Sequence, residues 1–265
     1  MIGIFDSGLG GLFTLRALVR ELPAYDYIYL GDTKRVPYGS RSPETVYEFS
    51  REGVEFLLKE KHCRMVILAC NTASAIALRR LQQEYLPKAF PDRRVLGVLV
   101  PLAETAEEKK VRCVGVLATA ATVRSHAIRR ELVKRLPNVS IFEQAAPLLV
   151  PIIESGELTW AKDLLAEYLR PLLRKKIDCL ILGCTHYPIL KRQIKRMVGS
   201  GVVIVSQDEF LSSKLKDYFM HHPEIEQSLS RGGRARIFVT DKTPEFEKRA
   251  KEWFGKEIKL QVVEL

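Results

Sequence analysis

The stretch "IGIFDSGLGGLFTL" (residues 2–15) holds three signals in succession: a short apolar run, a turn with three glycines, and leucines at helical spacing. A strand, a tight turn and a helix in that order are typical of a parallel α/β unit. The turn does not fit a dinucleotide-binding loop, because the spacing G-x-G-x-x-G requires glycine where Phe13 stands, nor does it contain a P-loop lysine. We therefore expect the glycines to form a tight turn that brings Asp6 and Ser7 to a ligand site.

The same alternation continues along the chain, with apolar runs between segments of helical periodicity. "MVILA" (65–69) and "VLGVLV" (95–100) are predicted strands. A helix is predicted to begin after Ser42, which suits an N-cap, with Pro43 at its first position. Alternating strands and helices favour parallel sheets that are covered by helices on both faces.

The chain also contains a weak internal repeat. "IGIFDSG" (2–8) resembles "VGVLATA" (114–120) at an offset of 112 residues, and "VILACNT" (66–72) resembles "LILGCTH" (180–186) at an offset of 114. The nearly constant offset indicates two similar structural units. The sequence therefore predicts an α/β fold of two similar three-layer domains, with mainly parallel sheets that face each other across a cleft.

The segment from about residue 207 matches neither repeat. It holds a predicted strand, "ARIFV" (235–239), a helix that begins after Thr243, and a last strand, "IKLQVV" (258–263). We expect this segment to pack back on the first repeat. The predicted domains are thus 1–97 together with 207–265, and 98–206.

Composition narrows the class of protein. With 265 residues, 46% of them hydrophobic and 8% aromatic, the chain is globular and not disordered. The first residues do not resemble a signal peptide, and no apolar stretch approaches the ~18 residues of a membrane span. The five cysteines are an odd number at wide spacings, which argues against disulfides and for a reducing compartment. These features predict a cytoplasmic protein with free thiols and no membrane partner.

The net charge of +10 favours acidic partners, either small anions or nucleic acid. The basic clusters "RKK" (174–176), "KRQIKR" (191–196) and "RGGRAR" (231–236) are short and lack interleaved aromatic residues. They favour an ordinary solvated surface over a nucleic-acid site. Binding of nucleic acid or protein through this surface stays open as an alternative function.

Two cysteines occupy matching positions in the two repeats. Cys70 and Cys184 each follow the third strand and precede hydrogen-bonding residues and a predicted helix start, where the helix dipole would lower the pKa of a thiol. Ligands bind at such strand ends in open α/β sheets. A redox pair would more often be C-x-x-C on one turn, and a zinc site built on Cys70, Cys184 and His186 lacks the usual spacing and a fourth ligand.

Two opposed acid and base groups suit a reaction whose substrate and product are mirror images. One thiol removes a proton from one face of the substrate while the other supplies a proton to the opposite face. A single cysteine nucleophile would need only one thiol and a base such as histidine. The matched pair therefore favours a two-base reaction.

Five segments resemble glutamate racemase motifs, in order, up to about residue 190. They are "GIFDSGLGGL" (3–12), "YLGDTKRVPYGSRS" (29–42), "ACNTASA" (69–75), "GVLATAATVRS" (115–125) and "LGCTHYPIL" (182–190). The resemblance implies a member of the aspartate/glutamate racemase family that interconverts L- and D-glutamate without a cofactor and supplies D-glutamate for peptidoglycan. It implies that Cys70 acts on the D-enantiomer and Cys184 on the L-enantiomer.

The resemblance also implies a set of supporting residues. Asp6 and His186 correspond to polar residues beside the two thiols, and Glu154 to a further acidic residue. The substrate-binding residues predicted from the resemblance and from the strand ends are Asp6, Ser7, Tyr38, Gly39, Ser40, Asn71, Thr72, Thr119, Thr122, Thr185 and His186. Simpler structural roles stay open for some of them, such as a helix cap for Asp6 and a turn cap for His186.

The sequence determines the choice of substrate and the oligomeric state less well than it determines the fold. Aspartate differs from glutamate by one methylene, which changes binding by only ~1–3 kcal/mol, so an aspartate racemase of the same fold stays an alternative. Exposed apolar faces on two small domains favour a homodimer. No lysine is marked as a Schiff-base former for pyridoxal phosphate, and no metal is predicted.

Overall fold

The structure is a computed structural model that describes residues 1–255 and 257–265. Its strands are β1 (Ile2–Asp6), β2 (Tyr27–Gly31), β3 (Met65–Leu68), β4 (Arg94–Gly97), β5 (Cys113–Ala118), β6 (Ser140–Ala145), β7 (Cys179–Gly183), β8 (Val203–Val205), β9 (Ala235–Val239) and β10 (Leu260–Val262). Every strand pairing in the described residues is parallel.

Helices separate most of these strands. They are α1 (Leu12–Glu21), α2 (Pro43–Glu55), α3 (Asn71–Ile76), α4 (Leu78–Arg80), α5 (Leu86–Ala89), α6 (Leu99–Glu108), α7 (Ala120–Ser125), α8 (Ala127–Arg135), α9 (Leu149–Ser155), α10 (Leu158–Leu173), α11 (Lys191–Val198), α12 (Gln207–His221), α13 (Pro223–Gln227) and α14 (Pro244–Phe254). Shorter helical segments lie at Tyr38–Ser40, Phe56–Glu60, Leu81–Tyr85 and Tyr187–Leu190. Within the described residues, every helix is too short or too polar to cross a membrane.

The strands form two sheets with the same internal order. The six-stranded sheet runs β10-β9-β2-β1-β3-β4, and the four-stranded sheet runs β6-β5-β7-β8. The order β2-β1-β3-β4 is thus repeated as β6-β5-β7-β8, which is the arrangement expected from the sequence repeat. Strands β1, β2, β3 and β7 are buried along their whole length, because helices cover both faces. The predicted α/β fold with two similar parallel sheets is confirmed.

The carboxy-terminal segment extends the first sheet. β9 pairs with β2, and β10 pairs with β9, so this segment adds two strands at the edge that the second sheet lacks. Helix α14 begins where expected, with the Phe246 N–H donating to the Thr243 hydroxyl at 3.2 Å. The domain boundaries 1–97 with 207–265 and 98–206 remain our proposal.

Candidate active site

The carboxyl ends of the strands from both sheets border one narrow cavity. β1 and β3 of the six-stranded sheet and β5 and β7 of the four-stranded sheet all end beside it. The cavity is lined by Ser7, Pro37, Tyr38, Gly39, Cys70, Asn71, Thr72, Thr119, Val150, Cys184, Thr185 and His186. Its volume is only about 20 Å³, little more than one water needs, so an amino acid can enter only if the cavity widens.

Cys70 lies at the end of β3 and caps helix α3. Its thiol donates to the Ser7 hydroxyl at 3.3 Å and accepts the Ala73 N–H at 3.4 Å. The side chain is buried, and burial together with the nearby Asp6 carboxylate raises the pKa of the Cys70 thiol to about 12. The expectation of a lowered pKa is wrong, because loss of solvation outweighs the hydrogen bond from the helix N-terminus and the one to Ser7, which both lower the pKa. Without a ligand, Cys70 is therefore a neutral thiol near pH 7.

Cys184 lies at the end of β7, on the other sheet. Its Sγ atom is 3.8 Å from Nδ1 of His186, and the thiol is buried within the same cavity as Cys70. The chain does not enter an α-helix at this point. A short 3₁₀ turn at Tyr187–Leu190 comes first, and α11 begins only at Lys191. The predicted helix start that follows Cys184 and its hydrogen-bonding neighbours is thus a 3₁₀ turn and not an α-helix, whereas α3 begins directly after Cys70.

His186 joins Cys184 to a carboxylate. Its Nε2 atom lies 2.5 Å from Oε1 of Glu154, and Arg249 approaches the other oxygen of Glu154 at 3.9 Å. Burial alone would lower the pKa of His186, but the charge of Glu154 and the hydrogen bonds from Glu154 and Cys184 raise it well above its usual value. Glu154 thus favours the protonated form of His186, whose ring lies next to the Cys184 side chain.

Removing the charge of Glu154 is expected to release the His186 proton. In Glu154→Gln the pKa of His186 should fall, because its burial persists while the carboxylate that offsets that burial is gone. NMR titration of the imidazole signals measures this directly. Glu143→Gln is the matched control, since Glu143 is a buried carboxylate that pairs with His126 instead. An unchanged His186 pKa in Glu154→Gln would contradict the assignment.

Asp6 lies behind the cavity wall and not in it. Its Oδ2 atom accepts the Gly11 N–H at 2.9 Å and lies 3.5 Å from the Thr185 hydroxyl. Burial raises the pKa of Asp6. Its Oδ1 atom is buried and has no hydrogen-bond partner among the described residues. A cationic group brought nearby would supply the missing partner and favour the ionised carboxylate.

Three threonine hydroxyls connect the two sheets next to Cys70. Thr72 follows β3, and its Oγ1 atom lies 2.9 Å from that of Thr119 and 3.1 Å from that of Thr122, both of which follow β5. Thr119 and Thr122 are themselves 3.0 Å apart. The closed cavity is therefore held by hydroxyl groups that could bind an anion such as a carboxylate when it opens.

The loop before α2 supplies the remaining wall. The Tyr38 hydroxyl donates to the buried Asp32 carboxylate at 2.5 Å, and Arg35 pairs with the same oxygen of Asp32 at 2.6 Å. These contacts place Gly39 directly against Thr119, and a Cβ atom at Gly39 would lie only 2.6 Å from the Thr119 Cβ. The adjoining Ser40 is exposed and does not line the cavity.

Apart from the exposed Ser40, the predicted site residues fall into two groups. The cavity is lined by Ser7, Tyr38, Gly39, Cys70, Asn71, Thr72, Thr119, Cys184, Thr185 and His186. Asp6, Glu154 and Thr122 contact these residues from behind. Sequence reasoning missed Pro37 and Val150, which also line the cavity, because apolar residues in a loop and a helix look like ordinary packing. Among the described residues, no group of three or more His, Cys, Asp or Glu side chains is placed to hold a metal.

The chain matches a known protein family over most of its length. A model of the family described as Asp/Glu/Hydantoin racemase matches residues 2–207. The chain belongs to this racemase family. The resemblance drawn from the five sequence motifs is confirmed, and the residues that carry those motifs lie within the matched range.

Known members of the family are similar over nearly the whole chain. This racemase is 39% identical over 252 residues to the glutamate racemase of Paracoccus denitrificans, covering 90% of this chain and 91% of that protein. The crystal structure of a glutamate racemase isoform from Bacillus anthracis matches with a TM-score of 0.89 and 33% identity, covering 100% of this chain and 97% of that one. The glutamate racemase of Francisella tularensis, solved in complex with D-glutamate, matches with a TM-score of 0.88 and 32% identity, covering 99% and 97%.

Proposed function

We propose that this racemase interconverts L- and D-glutamate by a cofactor-independent two-base mechanism, in which Cys70 and Cys184 exchange protons with opposite faces of the Cα atom. The observation that carries the proposal is that two thiols from matching positions on two similar sheets line one cavity. The close relatives named glutamate racemase support glutamate as the substrate.

The proposed reaction balances in protons. In the L-to-D direction, the Cys184 thiolate removes the Cα proton, and the Cys70 thiol supplies its own proton to the opposite face. In the D-to-L direction, Cys70 is the base and Cys184 the acid. After an L-to-D turnover Cys184 is protonated and Cys70 is a thiolate, which is the reverse of the starting state. The two thiols must therefore return to the starting protonation state before the enzyme can convert another L-glutamate.

Bound substrate would ease the deprotonation of Cys70. Its pKa of about 12 arises from burial and from the Asp6 carboxylate, both of which disfavour a second negative charge. An α-ammonium group beside Asp6 would offset that carboxylate and favour the thiolate. A carboxylate of the substrate would bind among the hydroxyls of Thr72, Thr119 and Thr185, because these groups line the cavity and can donate hydrogen bonds to it.

The cellular role that we propose follows from this activity. The enzyme would supply D-glutamate for peptidoglycan in the cytoplasm and act as a homodimer. Its five cysteines are all free, which suits a reducing compartment. Gel filtration with light scattering tests the dimer.

Incubation with L-glutamate in heavy water tests the proposed activity. The circular dichroism signal should decay to zero while deuterium enters the Cα position, because each inversion delivers a solvent-derived proton. L-Aspartate in a parallel reaction tests the alternative substrate, and a faster rate on aspartate would overturn the assignment to glutamate. Absence of Cα deuteration with either amino acid would overturn the two-base proposal itself.

A further inference from the structure

A buried glutamine outside the predicted site contacts the backbone and side chain on both sides of Cys70. Gln207 is the first residue of α12 and follows β8 of the four-stranded sheet, so it lies where the chain returns to the six-stranded sheet. Its side chain is nearly fully buried. It reaches the residues that flank Cys70 in sequence, Ala69 and Asn71.

The hydrogen bonds of Gln207 fix which way its amide group points. Its Nε2 atom donates to the carbonyl oxygen of Ala69 at 3.1 Å and to the hydroxyl of Thr14 at 2.8 Å. A carbonyl oxygen can only accept, so the Nε2 atom must face Ala69. The Oε1 atom of Gln207 is thereby turned toward Asn71.

This orientation in turn fixes the amide group of Asn71. An oxygen faces Asn71, so Asn71 must present its NH₂ group, and Nδ2 donates to the Gln207 Oε1 atom at 2.8 Å. The Oδ1 atom of Asn71 is left buried without a hydrogen-bond partner among the described residues. A buried, unpaired acceptor is costly unless a ligand supplies a donor. Asn71 lines the cavity, so the substrate is the natural source of that donor.

We propose that Gln207 is a positioning residue for substrate binding, which acts by holding the Asn71 amide in one orientation next to Cys70. The inference rests on the proposed glutamate racemase activity. Without Gln207, the Asn71 side chain could rotate or turn its amide group over. Part of the binding free energy of the substrate would then be used to order that side chain. Because the same orientation serves the bound substrate and the transition state, its loss should raise KM more than it lowers kcat.

Gln207→Met tests the proposal, because methionine has a similar length and no hydrogen-bonding group. KM should rise about tenfold for both enantiomers, because the Asn71 amide loses the hydrogen bond that orients it, while kcat changes less than about threefold. Gln82→Met is the matched control. Gln82, which is more exposed, also donates to a backbone carbonyl, that of Val95 at 2.8 Å, but Val95 does not line the cavity, whereas Asn71 does. Its KM and kcat should equal those of the wild type.

A double-mutant cycle with Asn71→Ala separates positioning from a general structural role. If Gln207 acts through Asn71, then adding Gln207→Met to Asn71→Ala should leave KM unchanged. If Asn71→Ala is too slow for kinetics, protection of Cys184 from iodoacetamide by D-glutamate gives the binding constants instead.

Three outcomes would overturn the proposal. The first is a Gln207→Met variant with wild-type KM and kcat. The second is a variant whose kcat falls at unchanged KM while its midpoint of thermal unfolding is lowered. The third is a double mutant in which the effects of Gln207→Met and Asn71→Ala on KM multiply. Failure of the glutamate assignment would be distinct, since the wild type itself would then not racemise glutamate.

Discussion

Cys70→Ala and Cys184→Ala are each expected to slow racemisation of glutamate by at least about 10³-fold in both directions, because either loss removes the acid in one direction and the base in the other. The two variants should nevertheless differ in a partial reaction. Cys70→Ala retains Cys184, which faces only the L-enantiomer, so deuterium from the solvent should enter L-glutamate without inversion. Cys184→Ala should instead exchange only D-glutamate.

Mass spectrometry of the recovered amino acids, with their chirality determined on a chiral column, measures both reactions. Cys113→Ala is the control, because Cys113 is a partly exposed thiol at the start of β5 that does not line the cavity. It should retain wild-type activity. Exchange of both enantiomers by one single-cysteine variant, or full racemisation by either, would contradict the assignment of one thiol to each face.

The second large effect is expected at Gly10, in the glycine-rich turn after β1. A Cβ atom at this position would lie 2.6 Å from the Thr185 hydroxyl and 2.7 Å from Nδ1 of His186, both closer than real Cβ contacts allow. Gly10→Ala should therefore displace the two residues that follow Cys184. A misplacement of about 1 Å in a catalytic group can cost about 10²-fold in rate, so kcat/KM should fall by about that factor.

Gly201→Ala provides a matched control, because a Cβ at Gly201 meets no atom within 4 Å. Steady-state kinetics followed by circular dichroism, together with thermal unfolding, compares the two variants. If Gly10→Ala folds and retains the activity of Gly201→Ala, the turn does not set the position of Thr185 and His186.

Much of the fold could be predicted from local sequence signals. The apolar run 65–69 became the buried strand β3, and the Ser42 cap with Pro43 became the start of α2, where the Thr45 N–H donates to Ser42 Oγ at 3.3 Å. The predicted strand 95–100 is wrong at its end, because β4 stops at Gly97 and α6 begins at Leu99. The repeat predicted two sheets of matching order, because buried strands and the turns that follow them require apolar residues and glycines at regular positions in the sequence.

The site was harder to predict where its geometry depends on distant contacts. The neutral state of the Cys70 thiol results from complete burial and from Asp6, which no local pattern around Cys70 reveals. The cluster of Thr72, Thr119 and Thr122 exists only because the two sheets meet.

Gln207 is a second residue whose contacts in the site could not be predicted from local sequence. It is 136 residues from Asn71 in sequence and lies outside every motif that resembles the family. Its position directly after the last strand of the second repeat is the one signal that could have drawn notice, since residues at strand ends face the cleft. Its role rests on three contacts that form only on folding.

A crystal structure of this enzyme with D-glutamate would show whether the two thiols flank one Cα atom. We expect a widened cavity in which the Sγ atoms of Cys70 and Cys184 lie on opposite faces of the Cα atom, each about 3–4 Å from it. A bound glutamate with both sulfur atoms on the same face, or with either one out of reach of Cα, would contradict this expectation.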